Sequence, residues 1–119
     1  MKTCLIVDDV TVTRFTARHF IEEIGLNVLE AENQEDAHAL LEKDPVDIVL
    51  LDLHLKKKSG LDVLAEIREK YRGIPVIIFS GVDGEERAAE VIEAGASEFI
   101  SKPTTKEKIE AGFRKAGVI

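Results

Sequence analysis

The chain has 119 residues, 23 of them Asp or Glu and 16 Lys or Arg, for a formal charge of −7. That acidic balance argues against non-specific binding to nucleic acid or anionic membranes, and no apolar run comes near the ~20 residues of a membrane span. One cysteine excludes an internal disulfide, and 45% hydrophobic residues suffice for one core, so a soluble cytoplasmic protein of a single domain, 1–119, is expected.

Residues 2–7 form a short apolar run that stops at Asp8-Asp9, too soon interrupted for a signal peptide. Cys4 within it reads as a core residue. Residues 10–24 place Ala17, Phe20, Ile21 and Ile24 at helical spacing, and Gly25 is positioned to close that helix. Residues 27–31 predict a weaker strand near the sheet edge. Asn33, with Asp36 three residues on, opens a second helix that carries Ala37, Leu40 and Leu41 on one face and stops before Pro45.

Residues 46–52, Val-Asp-Ile-Val-Leu-Leu-Asp, read as a strand buried on both faces. An unpaired ionised Asp52 inside the core would cost roughly 2–7 kcal/mol or more, so it belongs at the carboxyl end, where the strand leaves the core. After a polar loop, Val63, Leu64, Ile67 and Tyr71 predict a helix over 60–71. Residues 75–80 are another buried strand, and 84–95 a helix with Ala88, Val91 and Ile92 on one face. A fifth strand spans 97–101, and a last helix over 104–116 is buried through Ile109 and Phe113.

A βα unit repeated five times with short connections means an α/β fold, a parallel sheet with helices on both faces. The common strand order for a doubly wound, flavodoxin-like sheet of this size is 2-1-3-4-5, with strands one and three side by side at the switch point. The strand ends then converge. Strand one ends in Asp8-Asp9, strand three in Asp52, strand four in Ser80 and strand five in Lys102; strand two ends without an obvious functional group. Clustered carboxylates raise one another's pKa, and a divalent cation relieves that repulsion, Mg²⁺ suiting an all-oxygen site. With the metal in place Asp52 can act as nucleophile toward a phosphoryl group, Ser80 can hydrogen-bond one of its oxygens and Lys102 can pair with another.

These residues resemble a known family, the CheY-like receiver domains of two-component response regulators. The resemblance covers nearly the whole chain. It rests on Leu5-Ile6-Val7-Asp8-Asp9 with Arg14 five residues beyond, and on Ile48-Val49-Leu50-Leu51-Asp52 with Gly60 eight beyond. Val76-Ile77-Ile78-Phe79-Ser80-Gly81 continues it, and so does Gly95-Ala96 followed by Phe99-Ile100-Ser101-Lys102-Pro103. The resemblance implies that Asp52 is the phosphoacceptor and that Asp9 and Asp52, with Asp8 through water and the backbone carbonyl of His54, hold Mg²⁺. It implies Ser80 as the switch hydroxyl, Phe99 as the switch aromatic, Lys102 as the phosphoryl-holding cation and a cis Lys102–Pro103 bond.

The expected partners are a histidine kinase or histidine phosphotransfer protein and a downstream protein target, met through the fourth helix, fifth strand and fifth helix by a monomer or weak dimer. Such a stand-alone receiver is no enzyme beyond its own phosphorylation and dephosphorylation. The alternatives are an intermediate phosphate carrier in a phosphorelay and an aspartyl-phosphate phosphohydrolase; the Asp-x-Asp that the dehalogenase-like hydrolases need is broken by Val10.

The chain departs from the family pattern at Lys56, where proline usually stands, followed by Lys57 and Lys58, and at Phe99, often Tyr. The lysines read as a solvated loop, with contact to an acidic partner as the sharper reading. His19 and His38 read as surface or boundary residues, and Thr11 and Thr13 as helix-opening polar residues.

Overall fold

A computed structural model describes residues 1–81 and 84–119, with residues 84–86 described by their backbone. Ten elements alternate along it: β1 (Thr3–Val7), α1 (Thr11–Ile24), β2 (Asn27–Ala31), α2 (Gln34–Lys43), β3 (Ile48–Asp52), α3 (Gly60–Lys70), β4 (Val76–Ser80), α4 (Gly84–Glu93), β5 (Glu98–Ser101) and α5 (Lys106–Lys115). The strands are all parallel in the order β2-β1-β3-β4-β5. This is the expected doubly wound topology.

The period-2 alternation of the strands explains both core layers. Cys4, Ile6, Ile48, Leu50, Ile77 and Phe79 point to one face, where Ala17 and Ile21 of α1 and Ile109 and Phe113 of α5 cover them. Their neighbours Leu5, Val7, Val49, Leu51, Val76 and Ile78 point to the other, against Ala37 and Leu41 of α2, Val63, Leu64 and Ile67 of α3 and Val91 of α4. Apolar on both sides, β1, β3 and β4 are the inner strands. Each fully buried aliphatic or aromatic side chain contributes about 1.5–3 kcal/mol before chain entropy is subtracted.

Helix ends follow local chemistry. Gly25 takes φ 113° and donates to the carbonyls of Ile21 and Glu22, closing α1. Asn33 accepts from the N–H of Asp36 at 2.8 Å, Ser59 from Leu61 at 3.2 Å and Thr105 from Lys108 at 3.2 Å. That last cap starts α5 at Lys106, two residues later than the sequence pattern suggests. Thr11 and Thr13 do not cap α1: Val10 stands at the N-cap with no side-chain bond, and Asp8 Oδ1 accepts the Val10 N–H at 2.8 Å. Ile92 is not a core residue. It is 45% exposed on the outer side of α4, whereas its neighbour Val91 is fully covered.

Candidate functional site

Four strand ends build one cluster at the carboxyl edge of the sheet. Parallel register sets Val7 opposite Leu51 and Asp52 opposite Phe79, so the acidic pair after β1 lies beside the last residue of β3. Asp8, Asp9 and Asp52 each bring a carboxylate oxygen within 4.8 Å of the others. Lys102, carried just past β5, places Nζ 3.4 Å from Asp52 Oδ2 and 3.7 Å from Asp8 Oδ2, and 4.8 Å from the centre of the Phe79 ring. The Lys102–Pro103 bond is cis.

Burial is uneven. Asp8 is sealed and Asp52 is 3% exposed, while Asp9 is half-buried and Lys102 keeps a quarter of its side chain in solvent. Asp52 Oδ1 accepts the His54 N–H at 3.2 Å. Asp9 Oδ2 accepts the Lys56 N–H at 2.8 Å. Two oxygens are left over: Asp8 Oδ2 and Ser80 Oγ are buried without a hydrogen-bond partner among the described residues. An orphaned carboxylate oxygen among three carboxylates fits a hard dication such as Mg²⁺ or Ca²⁺, which takes oxygen ligands. Ser80, opposite Ser101 in register, is a hydroxyl with no hydrogen bond to another described residue. Phe99 is half-buried and packs against the α2–α4 side of the sheet.

Burial pushes the Asp8 carboxyl up to about 6, and the charges of Asp52 and Asp9 add to it against the opposing Val10 N–H and Lys102. The sign of the pH effect follows. Between the unfolded value of 3.8 and about 6 the native state holds a proton that the unfolded chain does not, so stability rises as pH falls. Without divalent metal, the protein is expected to gain about 1 kcal/mol on going from about pH 7.5 to about pH 5. Asp8→Asn should abolish the gain in urea unfolding at the two pH values; an unchanged gain in that variant assigns it elsewhere. Glu30 and Glu66, both held below the ordinary Glu value of 4.5, act in the opposite sense, their contribution being lost as pH falls below that value.

The structure also shows what the sequence pattern hid. β2 does end in functional groups. Arg14, 7% exposed, donates Nη1 to the Asp8 carbonyl at 2.7 Å, Nε to Glu30 at 3.0 Å and Nη2 to Glu32 at 3.4 Å. Arg18 pairs with the second Glu30 oxygen at 2.6 Å. Burial alone would raise the Glu30 carboxyl, but bonds from Arg18 and Arg14 hold it low. Lys58 is only partly exposed, and its ammonium meets Glu66 on α3, as does His38 Nε2, at 2.8 Å. Paired glutamates carry no periodic signal, which is why neither cluster stands out in the sequence; Arg14 alone marked one.

Among the described residues no helix is long and apolar enough to cross a membrane. Comparison with known proteins gives a consistent answer. The family model described as response regulator receiver domain matches residues 4–114. Over 105 residues the chain is 38% identical to a cyclic di-GMP phosphodiesterase of Thermotoga maritima, covering 88% of this chain and 28% of that protein. Among solved structures, the receiver domain of NtrX from Brucella abortus matches with TM-score 0.89 at 28% identity, over 98% of this chain and 99% of that one. A response regulator protein from Burkholderia pseudomallei, with a phosphorylated aspartic acid, a calcium ion and citrate, gives 0.85 at 27% identity over 94% and 66%. The first curated relatives are longer proteins, of which the chain spans 28% and 25%.

Proposed function

The chain belongs to the response regulator receiver domains, and from that membership we propose that residues 1–119 form one cytoplasmic receiver that takes a phosphoryl group onto Asp52 from a phosphohistidine of a kinase or phosphotransfer protein. The observation that carries this is Asp52 itself: nearly buried at the end of β3, with Asp8 and Asp9 oxygens within 4.8 Å and the Lys102 ammonium at 3.4 Å.

Asp8, Asp9 and Asp52, with the His54 carbonyl, would hold Mg²⁺. When bound, the metal supplies positive charge between two anions that otherwise repel. An Asp52 oxygen attacks phosphorus in line, the O–P bond forms as the donor's N–P bond breaks, and the departing imidazole takes up a proton. Lys102 pairs with one phosphoryl oxygen as a point charge. Ser80 Oγ, buried with no partner among the described residues, donates to another. The domain turns over no external metabolite. It signals through the surface of α4, β5 and α5, as a monomer or weak dimer.

Acetyl phosphate with Mg²⁺ is expected to label the parent with acid-labile, hydroxylamine-sensitive phosphate and to leave Asp52→Asn unlabelled. Full labelling of that variant sinks the assignment.

The readout follows from charge. An aspartyl phosphate carries more charge and more acceptor oxygens than a carboxylate, so Ser80 is drawn inward, and Phe99 is the large side chain beside the space it leaves. With beryllofluoride and Mg²⁺ as phosphoryl mimic, amide shifts are expected to spread from Asp52 to residues 84–102 in the parent and to shrink in Ser80→Ala. Shifts confined to the metal site in the parent would make the domain a simple phosphate carrier.

A further inference from the structure

The loop between β3 and α3 carries three lysines beside the acidic cluster, and two of them are held in different ways. Lys56 donates its backbone N–H to Asp9 Oδ2 at 2.8 Å. Lys58 sends its ammonium to Glu66 Oε1 on α3. The other Glu66 oxygen accepts from Gln34 Nε2 and faces His38 Nε2 at 2.8 Å, both on α2. One carboxylate thus ties α2, α3 and the loop together, and Lys58 first and His38 second hold it below the ordinary Glu range.

Exposed ion pairs are worth about 0–1 kcal/mol and rarely fix a loop. This one is better placed, with Lys58 31%, Glu66 34% and His38 23% exposed. The loop is also closed at its base, where the Gly60 N–H meets the Leu53 carbonyl at 2.7 Å and His54 bridges to Ser59. Pinned at the base and again at Lys58, its tip presents the Lys56 N–H to Asp9 with little further ordering to lose. The residue at 56 matters here through its backbone, since a proline would have no N–H to give.

We propose that Glu66 is a positioning residue of the metal site: through Lys58 it fixes the loop so that the Lys56 N–H holds the Asp9 carboxylate in one orientation toward Asp8 and Asp52. This rests on the Mg²⁺ site proposed above. Partners that orient a ligating carboxylate in this way typically govern metal affinity by roughly 10–100-fold.

The test has a metal-free arm and a Mg²⁺ arm. In metal-free protein the Lys56 amide is expected to be protected from hydrogen exchange, and to lose roughly tenfold of that protection in Glu66→Gln and in Asp9→Ala. In Mg²⁺ titrations followed by amide shifts, Lys56→Ala, which keeps the N–H, should bind within about twofold of the parent, while Lys56→Pro should bind roughly tenfold more weakly and Glu66→Gln roughly three- to tenfold more weakly. Equal affinity in Lys56→Pro and Lys56→Ala overturns the role of the N–H. Unchanged Lys56 exchange in Glu66→Gln overturns the tether, and decides the matter even where Lys56→Pro fails to fold. A protected Lys56 amide in a parent whose Asp8, Asp9 and Asp52 signals ignore Mg²⁺ overturns the metal site instead.

Discussion

Gly60→Ala is expected to slow phosphoryl incorporation at Asp52 on the order of 100-fold, the scale on which an ångström of misplacement acts. Gly60 opens α3 against the backbone that carries Asp52. A methyl group there would lie 2.4 Å from the Asp52 carbonyl oxygen, 2.6 Å from Leu53 Cα and 2.8 Å from the Leu53 carbonyl oxygen. All three are backbone atoms, so no rotamer change relieves the clash, and either α3 or the end of β3 must move. Overpacking of this kind costs about 1–3 kcal/mol, which a domain of this size can survive. Gly73 serves as the control, because nothing lies within 4 Å of its added methyl; Gly73→Ala should be neutral or slightly stabilising. Labelling rates with acetyl phosphate, read beside urea midpoints, separate the two effects. An unchanged rate in Gly60→Ala would show that the acceptor tolerates a moved backbone.

Arg14→Met should lower stability by about 2–3 kcal/mol, mostly through the buried Asp8 carbonyl that it leaves without its donor. Arg18→Met should cost less than about 1 kcal/mol. The contrast follows from burial: the Arg14 side chain is 9% exposed and that of Arg18 41%, although both share Glu30. Methionine keeps most of the packed stem, so the difference reports the guanidinium. Arg14 also anchors the turn that carries Asp8 and Asp9, so Mg²⁺ affinity should fall along with stability in that variant alone. Equal urea midpoints for the two variants would mean that Arg14 contributes no more than a surface charge.

What could be read from the sequence was what repeats or what stands out of place. Ile48 to Leu51 announce a strand covered on both sides because no polar residue interrupts them, and both faces of β3 are indeed sealed. Asp52 was conspicuous because a carboxylate at the end of such a run needs a reason. Helix starts were legible at Asn33, where the capping side chain sits at a fixed offset from its donor, and at Thr11 the helix does begin, though with Val10 at the N-cap and no side-chain cap. The Glu66 cluster stayed hidden because its four members come from three separate segments and each alone looks like surface. Backbone donors are harder still. The Lys56 N–H leaves no mark in the residue name, and it became visible once the loop had a path in space.

The strand order has a consequence for synthesis. β1 lies in the middle of the sheet between β2 and β3, and β5 closes the far edge. As the chain leaves the ribosome, the first three strands can pair while β4 and β5 are still unmade. At that stage Asp8, Asp9 and Asp52, which lie together in the finished fold, are all made, and Lys102, whose ammonium meets two of them there, is not. The carboxylates are therefore synthesised well before the cation that sits beside them. Lys102 is the last of these four residues to be made, so the cluster is completed only when β5 docks at the sheet edge.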